Sequence, residues 1–207
     1  MRSNGGLIGA KKTVSTSAAS GIWAIRDAQR EHGISNWPSG DMGAFESIAT
    51  TTLSTATATV TFSSIPATYK HLQLRTLARN SGEFISIRAT FNGDSTSVYN
   101  IHELYGDGAS ALAAAQTNIA YYPCGLVAPV STTGVFGSAV TDILDYRSTD
   151  KFKTMRTLTG YDANGSGYVE LTSGVWRSTS AITSITIVPN GGTLVQYSHL
   201  ALYGIKG

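Results

Sequence analysis

The chain has 207 residues and a formal net charge of +2, which is enough for one ordinary β domain with a tail. Charged residues make up 14% of it, well below the ~25% of a typical globular protein, so we expect partners to cover part of its surface. A single cysteine, no apolar run of about 18 residues and no basic stripe interleaved with aromatics together exclude a disulfide scaffold, a membrane-spanning protein and nucleic-acid readout.

Residues 1–40 form an arm that differs from the rest of the chain. The sequence predicts one short helix over residues 21–32, because Ser20 can cap its first turn and Gly33 can end it in a left-handed conformation. Three helical turns are marginal alone in water, so we expect the arm to attach to another protein. The apolar side chains predicted to make this attachment are Leu7, Ile8, Ile22, Trp23, Ile25 and Trp37.

Residues 44–207 change to the period of two that is typical of half-buried antiparallel strands. The predicted strands cover residues 45–50, 57–62, 70–79, 84–91, 98–105, 118–122, 135–146, 152–160, 167–176, 181–188 and 194–205. Turn residues separate these strands, and the spacing typical of βαβ units is not present. This pattern predicts an all-β fold, an antiparallel β-sandwich of jelly-roll type, preceded by the extended arm.

Two local features refine this prediction. Asn92-Gly93-Asp94 predicts a tight hairpin that pairs the strand before it with the strand after it, because Asn-Gly tolerates the positive φ such turns require. The alanine-rich segment 106–116 predicts one or two helical turns.

Residues 70–77 and 152–158 are similar to each other, which indicates either equivalent strands in the two halves of the sandwich or chance.

Catalytic and metal-binding groups do not assemble into a site at the level of sequence, and we expect neither an enzyme nor a cofactor. Asp142 and Asp145 have an odd spacing on one predicted strand, which places them on opposite faces. An ion pair of these aspartates or Asp150 with Arg147 or Lys151 at the strand end explains them more simply. A glycan-cleaving enzyme needs two carboxylates on one concave face, and the sequence does not reveal such a pair.

Tyrosine is the most informative aromatic residue, with ten copies, many near predicted strand ends. An exposed tyrosine offers rigid apolar area with a polar tip, which suits sugars and protein partners. Burial in the core or between subunits is the plainer explanation for most of them. The tyrosines predicted to line a receptor or subunit surface are Tyr99, Tyr105, Tyr121, Tyr122, Tyr161 and Tyr168.

The arm resembles the N-terminal segment of tailed-bacteriophage virion proteins, notably the fibre-like proteins of cyanophages and marine phages. Segments Gly6–Gly9, Ala19–Trp23 and Asn36–Pro38 carry the resemblance. The closing segment Ala201–Gly207 is similar to the end of the variable β domains in those proteins. The likeness is strongest over residues 6–38 and looser over 45–207. It implies a virion component, commonly trimeric, whose β domain projects from the particle.

The sequence and this resemblance together predict a non-enzymatic virion structural protein, assembled in the host cytoplasm. We expect its partners to be other tail or capsid subunits, two further copies of itself in a homotrimer, and a host surface glycan or protein. A short tail fibre or receptor-binding fibre subunit is the first hypothesis. A capsid cement or decoration protein is the second, and a tailspike-type carbohydrate-binding or depolymerase domain is the third.

Overall fold

The computed structural model describes residues 13–14, 19–20, 44–83 and 85–207. The chain divides into two units, Met1–Ala44 and Phe45–Gly207. In the first unit, strands β1 (Thr13–Val14) and β2 (Ala19–Ser20) pair antiparallel. The predicted helix 21–32 and the six apolar residues of the predicted attachment segment lie outside the described residues.

The second unit is an antiparallel β-sandwich, as the period of two predicts. Its strands are β3 (Phe45–Thr52), β4 (Val60–Phe62), β5 (His71–Ala78), β6 (Ser86–Phe91), β7 (Tyr99–Gly106), β8 (Ala111–Ile119), β9 (Tyr122–Leu126), β10 (Gly137–Leu144), β11 (Lys153–Asp162), β12 (Gly167–Trp176), β13 (Ile185–Pro189) and β14 (His199–Ile205). The described part of the chain contains no helix.

The two sheets differ greatly in width. The larger sheet has eight strands in the order β3-β14-β5-β10-β11-β12-β7-β8, and the smaller has four in the order β4-β13-β6-β9. All pairings within them are antiparallel. Strand β9, at one edge of the smaller sheet, packs on β10, β11, β12 and β7. One face of the larger sheet therefore covers the core, and the other face points away from it.

The core lies between the sheets and follows directly from the alternation along each strand. In β10, Ala139, Thr141 and Ile143 are buried, whereas the residues between them are partly or fully exposed. Phe91, Tyr99 and Trp176 form one aromatic cluster, with ring centroids 5.6 to 6.4 Å apart. Such contacts add to the free energy gained by removing large apolar side chains from water.

Buried hydroxyl groups in the core are paired with one another. The hydroxyl of Tyr122 lies 2.9 Å from Oγ1 of Thr157, which lies 2.8 Å from Oγ1 of Thr141. Thr141 in turn donates to the carbonyl of Cys124, whose side chain is buried. This chain of hydrogen bonds offsets the cost of placing polar atoms in an apolar interior.

The predicted helical turn in the alanine-rich segment is wrong. Residues 111–119 form strand β8, which pairs with β7 at the edge of the larger sheet. Alanine has a high helix propensity, but hydrogen bonding to a neighbouring strand overrides local preference. The predicted strand 118–122 is also incorrect, because Asn118 has a positive φ of 56° and a turn separates β8 from β9.

The Asn92-Gly93 turn has the backbone that was predicted but not the predicted pairing. Asn92 and Gly93 have φ values of 54° and 72°, and the Asp94 amide donates to the Phe91 carbonyl at 2.9 Å. The strand before the turn, β6, belongs to the smaller sheet, and the strand after it, β7, belongs to the larger. The turn therefore crosses between sheets, and the two strands do not form a hairpin.

The two similar segments lie in one sheet. Strands β5 and β11 both pair antiparallel with β10, one on each side of it. The interpretation that places them in two halves of the sandwich is therefore wrong.

Candidate functional site

The outward face of the larger sheet carries a row of exposed apolar side chains. We call Val140, Leu158, Leu171 and Leu104 the apolar row, because they lie directly opposite one another on β10, β11, β12 and β7. Their exposed fractions are 40%, 60%, 50% and 56%. A contiguous apolar stripe across four strands marks an interaction surface far more often than single exposed leucines do.

A second line of residues extends this surface by two positions along the strands. Leu77 and Val169 are also exposed there, at 47% and 59%. Between them lie Ser138 and Gly160, in register on neighbouring strands. A shallow depression of about 820 Å³ lies over this region, lined in part by Val140, Leu158 and Val169.

Charged groups border the apolar row on its other side. The guanidinium of Arg156 lies 3.6 Å from the Asp142 carboxylate, which also accepts a hydrogen bond from Gln73. Further along the face, the Arg75 guanidinium lies 5.0 Å from the centre of the Tyr203 ring and 5.8 Å from that of Phe45. Both signs of charge therefore occur beside the apolar side chains.

The opposite face of the same sheet forms a groove where it extends past the smaller sheet. We call this cavity of about 350 Å³ the tyrosine groove. Strands β7, β8 and β12 provide one wall, and β6 and β9 provide the other. Its lining includes Glu103, Tyr105, Tyr168, Glu170, Arg88, Tyr121, Gln116 and Asn190.

Two carboxylates face this groove from neighbouring strands. Glu170 of β12 lies opposite Tyr105, and Glu103 of β7 lies opposite Thr172, so the two glutamates are diagonal neighbours. Burial, and then the negative charge of Glu170, raises the pKa of Glu103. Glu170 accepts a hydrogen bond from Oγ1 of Thr172 at 2.6 Å. The surroundings of Glu103 therefore favour its protonated form relative to a glutamate in water.

An arginine and a tyrosine stack on the wall that the smaller sheet provides. The Arg88 guanidinium lies 4.1 Å from the centre of the Tyr121 ring, which is a close cation–π contact. Nε of Arg88 is buried and has no hydrogen-bond partner among the described residues. This contact holds the Tyr121 ring at the groove.

The six tyrosines predicted to line a surface fall into two groups. Tyr99 and Tyr122 are fully buried in the core, so the prediction is wrong for them; their large rings fill the space between the sheets. Tyr105, Tyr121 and Tyr168 line the tyrosine groove. Tyr161 lies beside Tyr168 across β11 and β12, with ring centroids 6.0 Å apart. Whether these four contact a receptor stays a prediction.

The predicted ion pair at the end of β10 is confirmed for Lys151. The Asp145 carboxylate makes a salt bridge with Lys151 and another, at 3.1 Å, with Lys70. Asp142 instead pairs with Arg156 on the outward face.

The expectation that no two carboxylates share a concave face is incorrect. Glu103 and Glu170 both line the tyrosine groove, although 67 positions separate them in the chain. Each strand read alone shows one glutamate, and only the β7–β12 register brings the two together.

In the part of the chain that the structure describes, histidine, cysteine and carboxylate side chains do not gather in groups of three or more that could hold a metal ion. None of the described residues forms a helix long and apolar enough to cross a membrane.

Known proteins show little similarity to this chain. No family model matches the chain, and no curated protein matches its sequence. Among solved structures, an exo-inulinase from Aspergillus awamori aligns with 95% of this chain at 13% sequence identity and a TM-score of 0.38. The chain spans 35% of that enzyme's length. A similarity this weak says nothing about what the chain does.

Proposed function

We propose that this protein is a non-enzymatic structural subunit of a tailed-bacteriophage virion, and that copies of it associate through the apolar row. The most direct form of this proposal is a short tail fibre or receptor-binding fibre subunit. In it, residues 1–40 attach the chain to the particle and residues 44–207 form the projecting domain. A homotrimer is the assembly we propose.

The apolar row is the observation that supports the association of copies in this proposal, and the resemblance of the arm supports the virion role. Burying apolar surface releases about 25 cal/mol per Å², so a stripe of large aliphatic side chains on a finished sandwich favours association. Eight strands spaced ~4.8 Å apart and about eight residues long present a face of roughly 900 Å². A stable interface needs about 800 Å² from each partner, so this face is large enough.

The chemistry of the border favours a second copy of the same chain as the occupant. Asp142 and Arg156 place opposite charges beside the row, so the face of one copy can pack against a neighbouring copy without like-charge repulsion. The depression over Gly160 lies next to the exposed side chains of Leu158 and Val169. In a trimer each copy contacts the next one head-to-tail, so the projecting side chains of one copy can fit the recess of its neighbour.

Sedimentation of the full chain tests this association. Leu158→Lys places a charge in the middle of the apolar row and is expected to convert a multimer of 21.8 kDa chains into monomers. Leu112→Lys is the matched control, because Leu112 is 44% exposed but belongs to the opposite face of the same sheet. A wild-type chain that sediments as a monomer, or a Leu158→Lys variant that still assembles, would contradict the proposal.

Imaging of particles carrying labelled protein tests the proposed location. Few copies at the tail would support a fibre, whereas hundreds over the head would support the capsid cement or decoration alternative. A chain lacking residues 1–38 is expected to fold but no longer to join particles. If it joins them normally, the attachment role of the arm is wrong.

A glycan-cleaving function is a second candidate, and the Glu103–Glu170 pair is the observation that favours it. Glycosidases place one carboxyl group with a raised pKa beside a second, ionised one. Release of reducing ends from a polysaccharide, lost in both Glu103→Gln and Glu170→Gln, would establish this function. Unchanged release in these variants would show that the pair is not responsible.

A further inference from the structure

We propose that the tyrosine groove binds an uncharged saccharide. This inference stands on the residues of the groove, and it holds wherever the protein resides and however many copies assemble.

The groove exists because the two sheets differ in width. Beyond β9 the described residues place no strand opposite the larger sheet, so the inward-facing residues at this end of β7 and β12 are not covered by core. On the inward face of these two strands, Ile101 and Thr172 are fully buried, whereas Tyr105 and Glu170 are partly exposed. The resulting volume of about 350 Å³ lies within the usual range for small-molecule sites.

The aromatic rings of the groove suit a sugar. Tyr105, Tyr121 and Tyr168 are partly exposed there and come from three separate parts of the fold. A tyrosine ring presents an apolar face that packs against the C–H groups of a pyranose, and its hydroxyl reaches the solvent edge for hydrogen bonding. The stacked guanidinium of Arg88 keeps Tyr121 in place, which lowers the entropy cost of binding.

The polar groups between the rings match the hydroxyl groups of a sugar. Glu103 and Glu170 supply carboxylate oxygens that accept hydrogen bonds from neighbouring hydroxyls. Gln116 and Asn190 supply side-chain amides that both donate and accept. A ligand with many adjacent hydroxyls satisfies all four side chains, whereas a purely apolar ligand would leave them without partners in a partly buried site.

The charge balance disfavours an anionic ligand. Two carboxylates face the groove with one guanidinium, and that guanidinium already stacks on Tyr121. An anionic sugar would meet net repulsion. A bare divalent cation is a poor alternative, because the described residues bring no third carboxylate, histidine or cysteine to this pair.

Binding measurements on the full-length protein test the proposal. The probes are maltotetraose, cellotetraose and chitotetraose as uncharged oligosaccharides, with tetragalacturonate and sialyllactose as anionic ones. Saturation-transfer NMR and calorimetry are expected to show millimolar or tighter binding of at least one uncharged probe and none of the anionic probes. Failure of all three uncharged probes to bind, or preference for an anionic one, would overturn the proposal.

Variants connect any binding to the groove. Tyr105→Ala is expected to weaken binding about tenfold or more through the loss of one stacked ring. Phe152→Ala removes an aromatic side chain that is 50% exposed outside the groove and should leave binding unchanged. Urea unfolding of each variant verifies that it is folded. Equal affinity in wild type and a folded Tyr105→Ala variant would show that sugars bind elsewhere.

Sedimentation of the same samples separates this proposal from the assembly proposal. A chain that binds sugar as a monomer would contradict association through the apolar row and support sugar binding in the tyrosine groove. A multimer that binds no uncharged sugar would support the association and contradict the sugar site.

Discussion

Trp176 donates a hydrogen bond from Nε1 to the Asp94 carboxylate at 2.9 Å, and so ties the last residue of β12 to the turn that follows β6. The indole is almost completely buried and packs on Phe91 and Tyr99. The turn crosses from one sheet to the other, so this bond holds the two layers together at that end.

Removal of the Asp94 carboxylate should therefore destabilise the sandwich. Asp94→Ala leaves a buried indole N–H without a partner and is expected to lower the free energy of unfolding by about 1–3 kcal/mol. Asp94→Asn keeps an acceptor oxygen and should lower the free energy of unfolding by less. Urea unfolding followed by tryptophan fluorescence measures both.

A second turn provides the control for this prediction. Asp162 accepts a hydrogen bond from the exposed Asn164 amide in the β11–β12 turn, so Asp162→Ala should have a smaller effect than Asp94→Ala. If Asp94→Ala and Asp162→Ala lower the free energy of unfolding by the same amount, the bond to Trp176 does not hold the sheets together.

Close packing of an aromatic ring on a glycine makes Gly204 intolerant of substitution. A Cβ atom at this position would lie 2.2 to 2.4 Å from ring carbons of Tyr69. Gly204→Ala is expected to lower the free energy of unfolding by about 1–3 kcal/mol, because the ring must move from its packed position. Thermal unfolding measures the change.

Gly106→Ala is the matched control in the same sheet, since its Cβ would come no closer than 3.6 Å to a neighbouring atom. If the clash with the Tyr69 ring is the cause, Gly204→Ala should lower the free energy of unfolding much less in a Tyr69→Ala background. An undiminished cost there would mean that strain on the strand itself, and not the ring, is responsible.

The ion pairs of Asp145 predict a specific dependence of stability on pH. Hydrogen bonds from Lys151 and Lys70 lower the pKa of Asp145 to about 2. The unfolded chain, with an ordinary value of about 3.9, binds this proton more readily than the folded one. The stabilisation is therefore complete above pH ~4 and is lost as the pH falls towards about 2.

Asp145→Asn should remove this contribution. Both lysines are largely exposed, so the loss at neutral pH should be under about 1 kcal/mol and should shrink in high salt. Unfolding curves of wild type and variant between pH 2 and pH 6 measure the difference. A difference that stays constant across this range would contradict the assignment.

Alternation of side chains along single strands made much of this fold predictable. The predicted strand 167–176 coincides with β12, and 152–160 falls within two residues of β11 at each end. Both faces of most of β8 are exposed at the sheet edge, so Ala111–Ile119 shows no contrast between an inner and an outer side. Where burial does not impose alternation, intrinsic propensity is a misleading guide.

Relationships between distant strands were beyond prediction. The apolar row depends on four residues that come into register only after β10, β11, β12 and β7 pair. The Glu103–Glu170 pair depends on the same pairing. A periodicity of two reveals which residues share a face of one strand, but not which strands are neighbours.

Protection of the apolar row from solvent is the most direct test of the proposed assembly. Cys124 is the one cysteine of the chain and is buried, and burial raises its pKa to about 12, so an introduced cysteine would be the reactive thiol. Leu158→Cys and Leu112→Cys place that thiol on opposite faces of the larger sheet.

The measurement is the rate at which each full-length variant reacts with a maleimide over a range of protein concentrations. If a second copy covers the apolar row, Leu158→Cys reacts many times more slowly than Leu112→Cys, and dilution removes the difference. Equal rates for the two variants at every concentration would contradict the account.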